Sequence, residues 1–241
     1  MLVENKFIYV SLPRCASTAF FISCIKNGFD VKHANSKSDN LIKNVDFNNL
    51  SNIDLVYQIN HFHETITSLK ETFGSEYEII SVKRNKYERY ISYFNHCIGE
   101  LKRNGNFDLS NRFLELTTDD VLFYKTSDLI NKESKINVIQ DFLKNIGYSN
   151  YNKTIESLLL PMITPTSTYH NNDPNIIWFD FNNLNEMEMW VSQKTGKSFK
   201  LESFGSSNEY KSKLAVNNYF IEKYDEIYSY YDIFKKQKTL I

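Results

Sequence analysis

Two polar stretches of the sequence contain the residue types that could bind an anion. The first, "SLPRCAST" at residues 11–18, includes Arg14, Ser17 and Thr18. A guanidinium and two hydroxyls can all donate hydrogen bonds to a phosphate or sulfate group. The stretch is not a Walker A loop, because no glycine occurs before Gly28. The alternative is that Ser17 caps a helix and Arg14 is a surface residue.

The second stretch is "IISVKRNKYERYISYF", residues 79–94. Arg84 falls at the end of a predicted strand, whereas Arg89 and Ser92 lie one turn apart on the helix predicted to follow it. Arg84 and Ser92 can therefore converge on a second phosphate, which predicts a ligand with two phosphate groups. The alternative is a solvated basic start of a helix.

A third stretch, "NHFHET" at residues 60–65, offers candidates for a general base. The imidazole of His61 or His63 can accept a proton from an alcohol near neutral pH. Only one residue separates the two histidines, and either ring is a candidate. Glu64 is the alternative base, and a structural histidine pair is the alternative without chemistry.

The predicted elements bring these stretches to one edge of a sheet. Strands are predicted at residues 6–12, 53–62, 77–84 and 175–181, and helices at 17–26, 64–73, 87–101, within 108–160, at 183–196 and at 216–234. Strands that alternate with helices predict an α/β fold with a central parallel sheet flanked by helices. Ligands of such folds bind at the carboxyl ends of the strands. We expect a single domain over residues 1–241.

Composition narrows the classes of function. The 28 Lys and Arg residues balance 29 Asp and Glu residues, so no global basic field favours nucleic acid or a membrane surface. Three scattered cysteines predict neither a disulfide framework nor a metal site. No apolar run reaches the length of a membrane span and no signal peptide is evident, so we expect a cytoplasmic protein.

The two anion-binding motifs, in this order and on these elements, resemble those of the sulfotransferases that use 3′-phosphoadenosine 5′-phosphosulfate. The resemblance implies the P-loop-like sulfotransferase architecture, with Arg84 and Ser92 at the 3′-phosphate. The residues that it implies at the 5′-phosphosulfate are Pro13, Arg14, Cys15, Ala16, Ser17 and Thr18. The tail "SSNEYKSKL" resembles the segment that closes over the cofactor, which implies Lys211 and Lys213. The chain departs from the family where Ala16 replaces a common glycine and Lys86 a common proline.

The resemblance also implies a reaction. "NHFHET" is similar to the "HGH" of the uronyl 2-O-sulfotransferase branch, which implies His63 as the base and a hydroxyl acceptor that is a carbohydrate. His61 is the second candidate, and Arg14 is expected to stabilise the leaving phosphate. No metal is expected. Two alternatives stay open: a nucleotide-dependent phosphotransferase, which would need Mg²⁺ and an Asp near the first loop, and a non-catalytic nucleotide-binding protein with the same fold.

Overall fold

The computed structural model describes residues 1–34, 63–121, 131–202 and 211–226. The chain divides into two compact units, the first made of Met1–Arg84 and Thr166–Ser206 and the second of Asn85–Pro165 and Ser207–Ile241. The strand predicted at 53–62 and most of the tail motif lie outside the described residues. The expectation of a single domain stays a prediction.

The first unit contains a five-stranded mixed sheet. Its strands, in the spatial order β3-β1-β2-β4-β5, are β1 (Leu2–Val3), β2 (Phe7–Val10), β3 (Val31–Lys32), β4 (Glu78–Lys83) and β5 (Ile176–Asp180). β2, β4 and β5 run parallel, whereas β1 is antiparallel to both of its neighbours. The α/β class is confirmed, and the predicted central parallel strands are β2, β4 and β5, within a sheet that is mixed as a whole.

The short connection between β1 and β2 explains this mixed sheet. Only three residues separate the two strands, and Glu4 and Asn5 have φ values of 53° and 49°. Two successive left-handed residues form the type of turn that joins antiparallel strands. A parallel pair would need a crossover of a dozen residues or more. The sequence analysis missed both β1 and β3, whose two residues each are too few to show an alternating pattern.

The described part of the first unit contains four helices. They are α1 (Ser17–Lys26), α2 (Ile66–Phe73), α8 (Ser167–His170) and α9 (Leu184–Thr195). All four residues of β2 are buried, and the ring of Tyr9 stacks on Phe20 of α1 with centroids 4.0 Å apart. The predicted strand, loop and helix at residues 6–26 are therefore confirmed. Gly196 ends α9 in the left-handed conformation, as its position after the helical pattern indicated.

The three parallel strands end close to one another at the carboxyl edge of the sheet, where β4 extends two residues beyond β2. Val10 pairs with Ser81, and the Ser81 hydroxyl donates a hydrogen bond of 2.7 Å to the Val10 carbonyl. Lys83 pairs with Asp180, so β4 and β5 end together. Residues that directly follow β2, β4 and β5 are thereby gathered at one edge, the usual position of a ligand site in α/β proteins.

The second unit is helical in its described residues. It contains α3 (Lys86–Arg103), α4 (Phe107–Glu115), α5 (Thr118–Val121), α6 (Lys132–Asn145), α7 (Lys153–Leu159) and α10, described over 218–226. Phe94 and Phe113 stack with centroids 5.0 Å apart in its core. The predicted amphipathic helices are confirmed. Gly147 follows α6 with φ of 73°, and hydrogen bonds from Gly147 to Lys144 and from Tyr148 to Leu143 complete a Schellman motif.

None of the described helices combines the length and the apolar character that a bilayer crossing requires. The cytoplasmic location stays a prediction.

Candidate functional site

The loop between β2 and α1, residues 11–16, has an unusual backbone. Arg14 and Ala16 have φ values of 62° and 60°, in the left-handed region. Residues with a Cβ occupy this region at a cost of about 1 to 2 kcal/mol each. Strain of this kind persists where the surrounding structure fixes it, and it occurs preferentially at functional sites. Loops that enter the left-handed region also form anion-binding concavities of backbone N–H groups.

Cys15 fixes this loop from the inside. Its side chain is 1% exposed, and its Sγ lies 3.6 Å from the Pro13 carbonyl oxygen. The Tyr9 hydroxyl donates to the Cys15 carbonyl at 3.3 Å, and the Cys15 N–H donates to the Leu12 carbonyl at 3.2 Å. These contacts explain how the strained backbone is held. The predicted contact of Cys15 with a cofactor stays a prediction.

Helix α1 begins at the loop without a side-chain cap. Its N-cap residue is Ala16, which makes no capping hydrogen bond, and no acidic residue lies in the first turn. Ser17 is the first helical residue, so the alternative that Ser17 serves as the N-cap is wrong. The N–H groups of the first turn and the helix dipole both favour a negative charge at this end. Ser17 is buried and Thr18 is half-buried beside it.

Arg84 joins the end of β4 to the loop. Its Nη1 lies 3.4 Å from the Arg14 carbonyl oxygen, the long end of a hydrogen bond. The guanidinium carbon also lies 4.3 Å from the ring centroid of Phe181, a cation–π distance. Sequence analysis missed Phe181. Phe181 directly follows β5 just as Arg84 directly follows β4, which places both at one sheet edge but does not indicate their contact.

His63 contacts the same loop from a different segment. Its Nδ1 lies 3.0 Å from the Ser11 carbonyl oxygen and 3.4 Å from the Ser11 hydroxyl. Its ring meets Tyr169 of α8 in an edge contact, with centroids 6.0 Å apart. The structure therefore brings His63 and Arg84 to the loop that contains Arg14. His61 lies outside the described residues.

Glu64 has a different environment from its neighbour His63. Its Oε2 lies 3.9 Å from the Met1 amino nitrogen and 3.9 Å from Nδ1 of His33, and its side chain is 10% exposed. Burial lowers the pKa of the Met1 amino group to about 5 against the opposing attraction of Glu64. Burial likewise lowers the pKa of His33 to about 3. These contacts give Glu64 a structural role beside its candidate role as a base.

The other predicted phosphate ligands belong to the second unit. Ser92 is 6% exposed on α3, and Arg89, one turn earlier, is 3% exposed. Burial raises the pKa of Tyr224 of α10, and the charge of Arg89 opposes that rise. Since Arg84 belongs to the first unit, the convergence of Arg84 and Ser92 stays a prediction.

The tail segment contacts α3 within the second unit. The Ser212 N–H donates to Oδ1 of Asn95 at 2.9 Å, and Asn95 lies one turn after Ser92. Lys211 is exposed, whereas the Lys213 ammonium forms an ion pair with Glu115. The contact of Lys211 and Lys213 with the cofactor stays a prediction.

The remaining histidines have structural contacts. His170 Nδ1 accepts a hydrogen bond from the Asn172 N–H at 3.1 Å, and the His170 ring meets Trp178 at 5.1 Å between centroids. His96 Nδ1 lies 3.7 Å from the buried Glu100 carboxylate. Across the described ranges no group of three or more His, Cys, Asp or Glu residues is arranged to hold a metal ion.

Known proteins give no guide to this site. No protein-family model, curated protein or solved structure matches the chain. The chemistry of the site must therefore be argued from its own residues, which are a strained loop with one arginine, an uncapped helix start, a second arginine and a histidine.

Proposed function

We propose that the protein is a sulfotransferase that moves a sulfuryl group from 3′-phosphoadenosine 5′-phosphosulfate to a hydroxyl acceptor. The observation that carries this proposal is the convergence of His63 and Arg84 on the strained loop that contains Arg14. The motif resemblance points in the same direction, and the P-loop-like sulfotransferase architecture is part of the proposal.

The residues of the loop fit the 5′ end of this donor. The phosphosulfate group is anionic, so its site must supply positive charge and several N–H or O–H groups. An acidic side chain nearby would repel it. Arg14 supplies the charge, the start of α1 supplies backbone N–H groups, and Ser17 and Thr18 supply hydroxyls. The absence of an acidic residue in the first turn of α1 removes a source of repulsion.

Sulfuryl transfer requires that the protein position the two substrates, stabilise the leaving phosphate and accept a proton. The bond from sulfur to the acceptor oxygen forms as the bond from sulfur to the donor's phosphate oxygen breaks, and the acceptor's proton must leave. His63 takes that proton, and Arg14 stabilises the charge that develops on the leaving phosphate. The rest of the rate arises from positioning, as in phosphoryl transfer. A carbohydrate is the proposed acceptor class, on the similarity of "NHFHET" to "HGH".

Turnover with a panel of acceptors tests the proposal. The sulfuryl donor is incubated with glycans, peptides or small alcohols, and release of 3′-phosphoadenosine 5′-phosphate is measured with and without EDTA. We expect acceptor-dependent release that EDTA does not change. Activity that is lost in EDTA and restored by Mg²⁺, with ATP as the donor, would instead favour the phosphotransferase. Tight nucleotide binding without turnover on any acceptor would favour the non-catalytic protein.

A further inference from the structure

We infer that the Ser11 carbonyl holds the neutral His63 ring in the tautomer with the proton on Nδ1, and that Tyr169 fixes the plane of the ring. The nitrogen that receives the acceptor's proton is then Nε2. This inference rests on the proposed function for the role of Nε2, whereas the tautomer itself does not depend on it.

The tautomer follows from the chemistry of the contact. A carbonyl oxygen can only accept a hydrogen bond, so a contact of 3.0 Å between the Ser11 oxygen and Nδ1 requires a proton on Nδ1. The Ser11 hydroxyl, at 3.4 Å from the same nitrogen, is the weaker partner. A neutral imidazole has one N–H, so its lone pair is on Nε2.

The acceptor of this hydrogen bond is rigidly placed. Ser11 is 2% exposed and directly follows β2, whose last residue Val10 is tied to β4 by the Ser81 hydroxyl. A backbone carbonyl does not titrate, so its bond to Nδ1 persists whether the ring is neutral or charged. When Nε2 gains a proton, the carbonyl dipole faces a positive ring and stabilises it.

Tyr169 contacts the ring from α8, which is anchored to the helix that follows His63. The rings of Tyr169 and His63 meet at an interplanar angle of 63°, within the range of favourable edge contacts. Asn171 Nδ2 donates to the Thr67 hydroxyl of α2 at 2.7 Å, and an ion pair joins Lys70 of α2 to Asp173. Tyr169 and His63 are thus held by one set of contacts, which makes Tyr169 a positioning residue.

Nitrogen-15 NMR tests the tautomer directly. Wild-type protein labelled at histidine is recorded at a pH where the ring is neutral, and the His63 resonances are assigned by comparison with His63→Gln. We expect a pyrrole-type shift on Nδ1 and a pyridine-type shift on Nε2. A pyridine-type shift on Nδ1 would overturn the inference, whatever the enzyme's activity.

Kinetics test the role of Tyr169. Tyr169→Leu should lower kcat by about tenfold or more, because small misplacement of a catalytic group is costly, and should leave the affinity for 3′-phosphoadenosine 5′-phosphate unchanged. Tyr169→Phe keeps the ring and should recover most of the loss. Tyr93→Leu is the matched control, since it removes the same kind of edge contact from His96 in the second unit. Equal losses in Tyr169→Leu and Tyr93→Leu would contradict the positioning role.

The NMR experiment and the binding and turnover measurements together separate the inference from the proposed function. The predicted tautomer together with an absence of bisphosphate binding would overturn the proposed function, and with it the role of Nε2, while the tautomer would hold. Bisphosphate binding and turnover together with a proton on Nε2 would overturn the inference alone.

Discussion

Nη1 of Arg84 lies 3.4 Å from the carbonyl oxygen of Arg14. The two arginines are 70 positions apart in sequence, and each belongs to a motif that predicts anion binding. Their contact means that Arg84 supports the backbone of the first anion loop, in addition to any direct contact with a phosphate. The Phe181 ring lies at a cation–π distance of 4.3 Å from the same guanidinium.

The role of Arg84 can be measured by binding. Arg84→Ala should weaken binding of 3′-phosphoadenosine 5′-phosphate by about 10- to 100-fold, because a charge-assisted hydrogen bond contributes about 1.5 to 3 kcal/mol. Isothermal titration calorimetry gives the dissociation constants. Lys83→Ala is the matched control, since Lys83 is exposed at the end of β4 and carries the same charge. Equal losses of affinity in both variants would mean that Arg84 acts only through its positive charge and not through a specific contact.

The left-handed conformation of Ala16 predicts a stabilising substitution. Ala16→Gly should raise the free energy of unfolding by about 0.5 to 1 kcal/mol, because relief of strain exceeds the entropy that glycine adds to the unfolded chain. Urea denaturation measures the change. Ala19→Gly, inside α1, should have the opposite sign. Destabilisation by both substitutions would mean that Ala16 is not strained.

Substitution of the candidate base should separate chemistry from binding. His63→Ala should lower turnover by about 10² to 10⁴-fold and leave bisphosphate affinity within error, because a general base acts on the transition state. His61→Ala should cost less. Glu64→Gln should cost less turnover than His63→Ala, since the Glu64 carboxylate lies beside the Met1 amino group and His33. Wild-type turnover in His63→Ala, with Glu64→Gln inactive, would move the base to Glu64.

The ion pair between α2 and the turn after α8 predicts a pH-dependent stability. In this pair, the hydrogen bond from Lys70 holds the pKa of Asp173 below the ordinary value of 3.8. The unfolded chain then binds more protons at low pH, so this contribution is present above pH 3.8 and is lost as the pH falls through the lower folded pKa.

Asp173→Asn tests this contribution. The variant should lose about 0.5 to 1 kcal/mol at neutral pH, and the difference from wild type should shrink as the pH falls below 3.8. Urea unfolding as a function of pH measures it. Asp30→Asn, in the more exposed pair with Lys32, is the control and should change little. A constant difference at every pH would assign the loss to packing.

Much of the fold could be predicted from the sequence. The long periodic pattern of α3 indicates a helix, and the apolar run of β2 indicates a strand. Asn85 marks the start of α3 as its N-cap, and the polar loop marks the end of β2. β1 and β3 could not be predicted, because two-residue strands depend on pairing and not on local pattern. The left-handed Ala16 was also hidden, since alanine carries no local preference for that conformation.

The candidate site was predictable in part. The position of Arg84 after a strand indicated its place at the sheet edge, but its contact with Arg14 depends on register between β2 and β4. Phe181 and Tyr169 were missed because aromatic residues beside strands and short helices usually belong to the core. Their roles follow from contacts with Arg84 and His63, which no spacing in the sequence encodes.

Titration of the wild-type protein with 3′-phosphoadenosine 5′-phosphate, in parallel with ATP and Mg²⁺, tests the central claim most directly. We predict saturable binding of the bisphosphate without metal, tighter than that of ATP, and a loss of about 10- to 100-fold in Arg14→Ala. Failure of the bisphosphate to bind, or tighter binding of ATP with Mg²⁺ that Arg14→Ala does not weaken, would contradict it.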